Sequence, residues 1–147
     1  KIPTLHILAG NIEHRLGAIS FYIENIHYNL IVKILNDRFG VQVRGGCSCA
    51  GTYGHYLLHV DPNRSKIITD KIDQGDLSEK PGWVRMSIHP TMTEEELMTA
   101  INGISQIVEN IDDWSKDYIY DKSKNEFFHK YSDGSDLEKI KSWFTLS

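Results

Sequence analysis

The sequence predicts a two-layer α+β fold, in which helices cover one face of a small, mainly antiparallel sheet. Residues 15–23 and 83–89 alternate apolar and polar side chains with the period of two that is typical of half-buried strands. Residues 27–39 and 93–111 instead repeat apolar side chains at the three- and four-residue steps of amphipathic helices. The length of 147 residues suits one domain.

The first half of the chain reads as strand, helix and strand. The strand at residues 15–23 is followed by a helix at residues 27–39, and Gly40 stands where a helix C-cap favours a residue with positive φ. Residues 41–43 are then predicted to form a short strand that delivers Arg44 to the loop after it.

The second half reads as helix, strand and helix. A helix is predicted at residues 61–74, with Pro62 in its first turn, followed by a strand at residues 83–89. Thr93 and Glu96 form a capping box that begins the clearest helix, with apolar positions Leu97, Ile101, Ile104, Val108 and Ile111. A short strand at residues 126–128 and a last helix at residues 136–143 are predicted for the rest of the chain.

Composition narrows the class of protein. The net charge of −4 is spread along the chain, so no basic stripe indicates nucleic-acid binding, and no apolar run is long enough for a membrane span. Two cysteines one residue apart do not make a disulfide framework, which favours a reducing cytoplasm. The chain begins with Lys1 rather than Met, so we expect it to be a piece of a longer polypeptide.

The segment from Arg44 to Gly51, Arg-Gly-Gly-Cys-Ser-Cys-Ala-Gly, is the most distinctive candidate site. A cysteine becomes a nucleophile when positive charge stabilises its thiolate and a reactant can reach it. Arg44 can supply that charge to Cys47 and Cys49, and the glycines allow unusual dihedrals and close approach. A small buried structural cysteine or a tight turn in a scaffold domain is the alternative interpretation.

A metal site is a second interpretation of the same region. Cys47 and Cys49 are followed by His55 and His59, whose spacing of four would place both imidazoles on one helix face. The gap between the cysteines is shorter than in most structural zinc sites. A non-catalytic zinc-binding or protein-interaction module is therefore kept as the alternative function.

Arg85 lies on the polar face of its predicted strand, opposite the apolar residues Val84, Met86 and Ile88. A solvated arginine is one interpretation. The other is a carboxylate clamp, because the guanidinium fork pairs with both oxygens of a carboxylate.

Three motifs in order give the chain a family resemblance: residues 15–21, the loop from Arg44 to Ala50, and residues 83–87 before a capped helix. Together they resemble the C-terminal small domain of class V aminotransferases. These pyridoxal-phosphate enzymes have the aspartate-aminotransferase fold (fold type I) and include cysteine desulfurases and selenocysteine lyases. The resemblance places the small domain at residues 1–112 and a C-terminal extension packed on it at residues 113–147.

The resemblance implies roles for three residues and an amino-acid substrate. Cys49 matches the cysteine that, in desulfurases, takes sulfur from the cofactor-bound substrate, and Arg85 matches the arginine that binds the substrate carboxylate. Arg44 matches the arginine ahead of the cysteine loop. Cys47 departs from the histidine of most desulfurases, and the Gly-Cys-x-Cys form is closest to molybdenum-cofactor sulfurases.

The resemblance also implies what the chain lacks. The lysine that holds pyridoxal phosphate belongs to a large domain upstream, and His129-Lys130 stands in the wrong order to be that motif. We therefore expect the chain alone to be inactive and its complete enzyme to be a homodimer.

Overall fold

The computed structural model describes residues 2–47 and 51–131, and for residues 51 and 52 the backbone alone. The strands are β1 (Leu5–Ile7), β2 (Ala18–Ile23), β3 (Arg44–Gly46), β4 (Trp83–Ser87), β5 (Tyr118–Asp121) and β6 (Glu126–His129). The α-helices are α1 (Tyr28–Phe39), α2 (Gly51–Leu57), α3 (Pro62–Asp73) and α4 (Glu94–Trp114). A short 3-10 turn, Ser115–Asp117, joins α4 to β5.

The main sheet is antiparallel and has the strand order β1-β2-β4-β3. β4 lies between β2 and β3, so Arg85 pairs with Ser20 on one side and with Arg44 on the other. β5 and β6 form a separate hairpin. This arrangement of a small antiparallel sheet and helices confirms the predicted α+β class.

The core lies between the sheet and the helices α1 and α4. Its most deeply buried side chains come from both layers: Phe21, Ile31, Ile34, Leu35, Val84 and Ile107. Gly103 brings α4 close to α1, because a Cβ at this position would lie 3.1 Å from both Leu35 Cδ2 and Phe39 Cγ. The polar face of β2, β3 and β4 is thus turned away from this core. No helix in the described residues is long and apolar enough to cross a bilayer.

The predicted helix ends are confirmed. Gly40 adopts the left-handed conformation, with φ of 66°, at the end of α1. Asp61 caps α3 by accepting hydrogen bonds from two backbone N–H groups, and Pro62 follows in the first turn. Thr93 and Glu96 form the reciprocal capping box at the start of α4.

Several element predictions need correction. Residues 41–43 are not a strand, because the Val41 amide is used by the end of α1, donating to Leu35 O at 3.0 Å; β3 begins at Arg44. Ile101 is 45% exposed, since α4 buries Ala100, Gly103 and Ile107 instead. The strand predicted at residues 126–128 is confirmed as β6, whereas β1, β5 and α2 were not predicted. The predicted helix at residues 136–143 lies outside the described residues.

The N-cap of α1 is a histidine, His27, whose capping bond depends on the protonation state of its ring. The Nδ1 atom of His27 accepts a hydrogen bond from the backbone N–H of Asn29 at 3.1 Å, and its ring packs on Tyr28, Tyr120 and Phe127. Burial lowers the pKa of His27 from its ordinary value of 6.5. Protonation would turn the accepting nitrogen into a donor and remove the cap.

We therefore expect the free energy of unfolding to fall as the solution is acidified below pH 6.5. Because the folded pKa lies below the unfolded one, the contribution of neutral His27 is complete above pH 6.5 and is lost as pH falls through the lower folded pKa. Urea unfolding between pH 5 and pH 8 measures this. His27→Asn keeps an N-cap acceptor that does not titrate, so its profile should be flatter. Identical profiles for the two proteins would contradict the assignment.

Candidate active site

The polar face of the main sheet places two arginines side by side. Arg44 on β3 and Arg85 on β4 are direct cross-strand partners, so their side chains leave the same face with Cα atoms about 4.5–5.5 Å apart. Arg85 is half-buried and Arg44 is exposed. Among the residues that the structure describes, no carboxylate lies within ion-pair distance of either guanidinium.

The glycines beside Arg44 have two different roles. Gly46 has a φ of 123°, as the sequence interpretation of unusual dihedrals requires. Gly45 instead makes room for α1, because a Cβ there would lie 2.5 Å from Asn29 Oδ1 and 3.0 Å from Tyr28 Cδ2. The space beside Gly45, which the sequence analysis assigned to an approaching reactant, is therefore filled by side chains of α1.

Cys47, the residue after β3, lines a cavity of about 220 Å³ at the edge of the sheet. Arg44 and Lys80 line the same cavity, which includes no acidic residue among those described. A thiolate in this position would face two cations, the environment in which cysteines react. Cys49, the residue to which the family resemblance assigns the role of nucleophile, lies outside the described residues.

Tyr28 and Asn125 also line this cavity, and sequence reasoning missed both. Asn125 Nδ2 donates to the Tyr28 hydroxyl at 2.6 Å. Burial raises the pKa of the Tyr28 phenol, the hydrogen bond from Asn125 opposes this rise, and the nearby Cys47 adds to it. The polar run before Glu126 was a sequence sign of a turn, but it did not reveal the contact with α1.

The two histidines of the proposed metal site do not share a helix face. α2 ends at Leu57, and His59 follows it in a left-handed conformation with φ of 53°. His55 Nδ1 lies 2.5 Å from Ser65 Oγ, which ties α2 to α3. The described residues contain no group of three or more metal-binding side chains. Because the predicted set includes Cys49, the zinc hypothesis stays a prediction.

A comparison with protein families identifies the family to which this chain belongs. The family model of the class-V aminotransferases matches residues 1–99, about two thirds of the chain. The chain therefore belongs to the class-V aminotransferase family, and the resemblance drawn from the three sequence motifs is confirmed. A search of curated proteins found no match to it. The matched region ends within α4, so the β5–β6 hairpin lies beyond it. The boundary predicted between residues 112 and 113 stays a prediction.

Proposed function

We propose that this chain supplies the carboxylate-binding half of the active site of a pyridoxal-phosphate enzyme that acts on an amino acid, with Cys49 as sulfur acceptor in a cysteine desulfurase reaction. The observation that carries the proposal is the cross-strand pairing of Arg44 with Arg85. Arg44 stands three residues before Cys47, so the pair adjoins the start of the loop that contains both cysteines. The remaining partner is a large domain that holds the cofactor lysine.

The arginine pair favours an anionic ligand on electrostatic grounds. Like charges directly opposite each other destabilise an antiparallel pair, and the described residues offer no carboxylate to offset them. An anion placed between the guanidiniums would remove this repulsion. A substrate carboxylate is such an anion, and a guanidinium binds both of its oxygens in one plane.

The donor set also fits the cofactor that the family implies. Pyridoxal phosphate carries a phosphate dianion and its substrate carries a carboxylate, both of which guanidinium and ammonium groups recognise. The sheet face provides two guanidiniums, and Lys80 lines the cavity beside them. When bound, the cofactor supplies an electron sink that weakens a bond of the amino acid. Lys130 is exposed after β6 on the hairpin, beyond the family-matched region, so we assign the cofactor lysine to the large domain.

Arg85 and Cys49 would have separate roles in the reaction, the first in substrate binding and the second in sulfur transfer. Arg85 holds the substrate carboxylate and so orients the C–S bond toward the loop. The Cys49 thiolate forms a bond to the substrate sulfur as the C–S bond breaks, and the carbon left behind takes up a proton. Cysteine becomes alanine, its carbon is reduced, and Cys49 is oxidised to a persulfide.

Cys49→Ala in the complete enzyme tests this assignment. We expect no protein persulfide from cysteine, whereas cofactor loading and substrate binding persist because neither uses the thiol. Persulfide labelling followed by peptide mapping, with alanine measured in parallel, gives the readout. Cys47→Ala is the matched variant, since it removes the neighbouring thiol. A persulfide on Cys47, or unchanged alanine and sulfur yields in Cys49→Ala, would remove Cys49 from the reaction.

A further inference from the structure

Asn125 occupies the turn of the β5–β6 hairpin, which it joins to α1 by two hydrogen bonds, and it makes a third within the hairpin. Its side-chain N–H donates to the Tyr28 hydroxyl at 2.6 Å, and its carboxamide oxygen accepts from the Tyr120 hydroxyl at 2.9 Å. Its backbone carbonyl accepts from Asn29 Nδ2 at 2.5 Å. The residue has a φ of 56°, a conformation that asparagine tolerates better than most residues.

Tyr28 links Asn125 to the two strands that adjoin Cys47. Its ring is buried and lies against Gly82 at the start of β4, where a Cβ would stand 2.5 Å from the ring atom Cε1. The same ring and its neighbour Asn29 lie against Gly45 of β3. The Tyr28 ring, whose hydroxyl is bonded to Asn125, therefore packs against the backbone of β3 and against the residue that precedes β4, the two strands that carry Arg44 and Arg85.

Asn125 also faces the cavity that contains Cys47. Among the described residues, its titratable, charged and amide side chains are those of Tyr28, Asn29, Arg44, Cys47, Lys80 and Asn125. Asn125 is the member of this set contributed from beyond the family-matched residues 1–99. The hairpin thus completes a cavity that the matched region leaves open on that side.

We propose that Asn125 is a positioning residue, which acts through Tyr28 to hold the Cys47 end of the cysteine loop against the sheet. The β5–β6 hairpin then stabilises the position of the candidate site instead of folding independently of it. The positioning of Cys47 by Asn125 is argued only from the contacts of Tyr28 and Asn125 and does not depend on the proposed function. Its consequence for catalysis rests on the proposed function, because the next residues of the loop include Cys49.

The test measures alkylation of Cys47 by iodoacetamide in the full chain carrying Cys49→Ser, in which Cys47 is the remaining cysteine. Asn125→Gly keeps the left-handed conformation and removes the amide. We expect its rate at high pH, where the thiolate dominates, to rise roughly five-fold, the equilibrium effect of losing one ordinary hydrogen bond. Tyr28→Phe should raise the rate similarly, and the double variant should be no faster than either single one.

Two further variants separate positioning from general loss of structure. Tyr120→Phe removes the other hydrogen bond to the Asn125 side chain without touching Tyr28, so its rate should stay near that of the parent. Asn125→Asp places a carboxylate in the cavity of Cys47, so the midpoint of its alkylation profile should move to higher pH. Neither pattern is expected from partial unfolding.

The outcomes are distinct. Parental alkylation rates in Asn125→Gly and Tyr28→Phe, or additive effects in the double variant, would overturn the proposal. An unmoved midpoint in Asn125→Asp would do the same, because residue 125 would then not face the thiol. If the alkylation results hold while Cys49→Ala still transfers sulfur in the complete enzyme, the positioning stands and the proposed function fails.

Discussion

Arg85→Gln in the complete enzyme is expected to lower kcat/KM for the amino-acid substrate about 100-fold, mainly through weaker substrate binding. A hydrogen bond to a charged group contributes roughly 1.5–3 kcal/mol, and each 1.4 kcal/mol corresponds to a factor of ten. Glutamine retains one donor and loses both the charge and the fork that pairs with two carboxylate oxygens. Steady-state kinetics with an equilibrium binding measurement of the substrate would separate affinity from turnover.

Two companion variants make the Arg85 experiment specific. Arg85→Lys keeps the charge without the fork, so its loss should be intermediate. Arg44→Gln removes the cross-strand neighbour, which is exposed on an edge strand, and should cost at most about five-fold because solvent weakens exposed charge interactions. If Arg85→Gln binds substrate with parental affinity and Arg44→Gln does not, the two arginines have the opposite roles. If neither variant changes affinity, the sheet face does not bind the carboxylate.

Helices α1, α3 and α4 could be predicted from the sequence because their signals are local. The Thr93 and Glu96 capping box, Asp61 before Pro62 and Gly40 after α1 each act within one turn of helix, so a short window of sequence contains the whole interaction. The strand β4 was predicted for the same reason, since alternation along five residues defines its two faces.

The register of the strands could not be predicted, because it depends on residues far apart in the chain. Arg44 and Arg85 were recognised separately, but nothing between them indicates that they are direct partners. The contact between Tyr28 and Asn125 spans an even longer separation, and the β5 half of the hairpin gave no recognisable alternation. Such contacts depend on how the layers pack, which a single sequence does not specify.

The glycines show the difference between a requirement of the local backbone and a requirement of tertiary packing. Gly46 adopts a positive φ, a conformation that the presence of glycine in a loop already indicates. Gly45 and Gly82 have no positive φ and are required instead by side chains of α1: Asn29 and Tyr28 at Gly45, and Tyr28 at Gly82. The glycines before Cys47 therefore combine a backbone requirement at Gly46 with a steric requirement at Gly45. Alanine would strain the backbone at Gly46 and clash with α1 at Gly45.

Gly82→Ala is expected to lower the free energy of unfolding by roughly 2 kcal/mol, within the usual range for overpacking a core. The new Cβ would stand 2.5–2.8 Å from three carbons of the Tyr28 ring. The ring cannot move aside easily, because it is buried and its hydroxyl is bonded to Asn125. Urea denaturation measured by circular dichroism gives the value directly.

Gly54→Ala in α2 is the matched control, because its Cβ would meet Cys47 Cβ and Trp83 at 3.4 Å, ordinary contact distances. Alanine favours a helix over glycine by up to about 1 kcal/mol, so this variant should be neutral or more stable. Tyr28→Leu supplies the converse test: with the ring removed, adding Gly82→Ala should cost much less than it does in the parent. An equal cost in both backgrounds would place the strain elsewhere, and Tyr28 would lose its role as the link between the hairpin and the paired arginine strands.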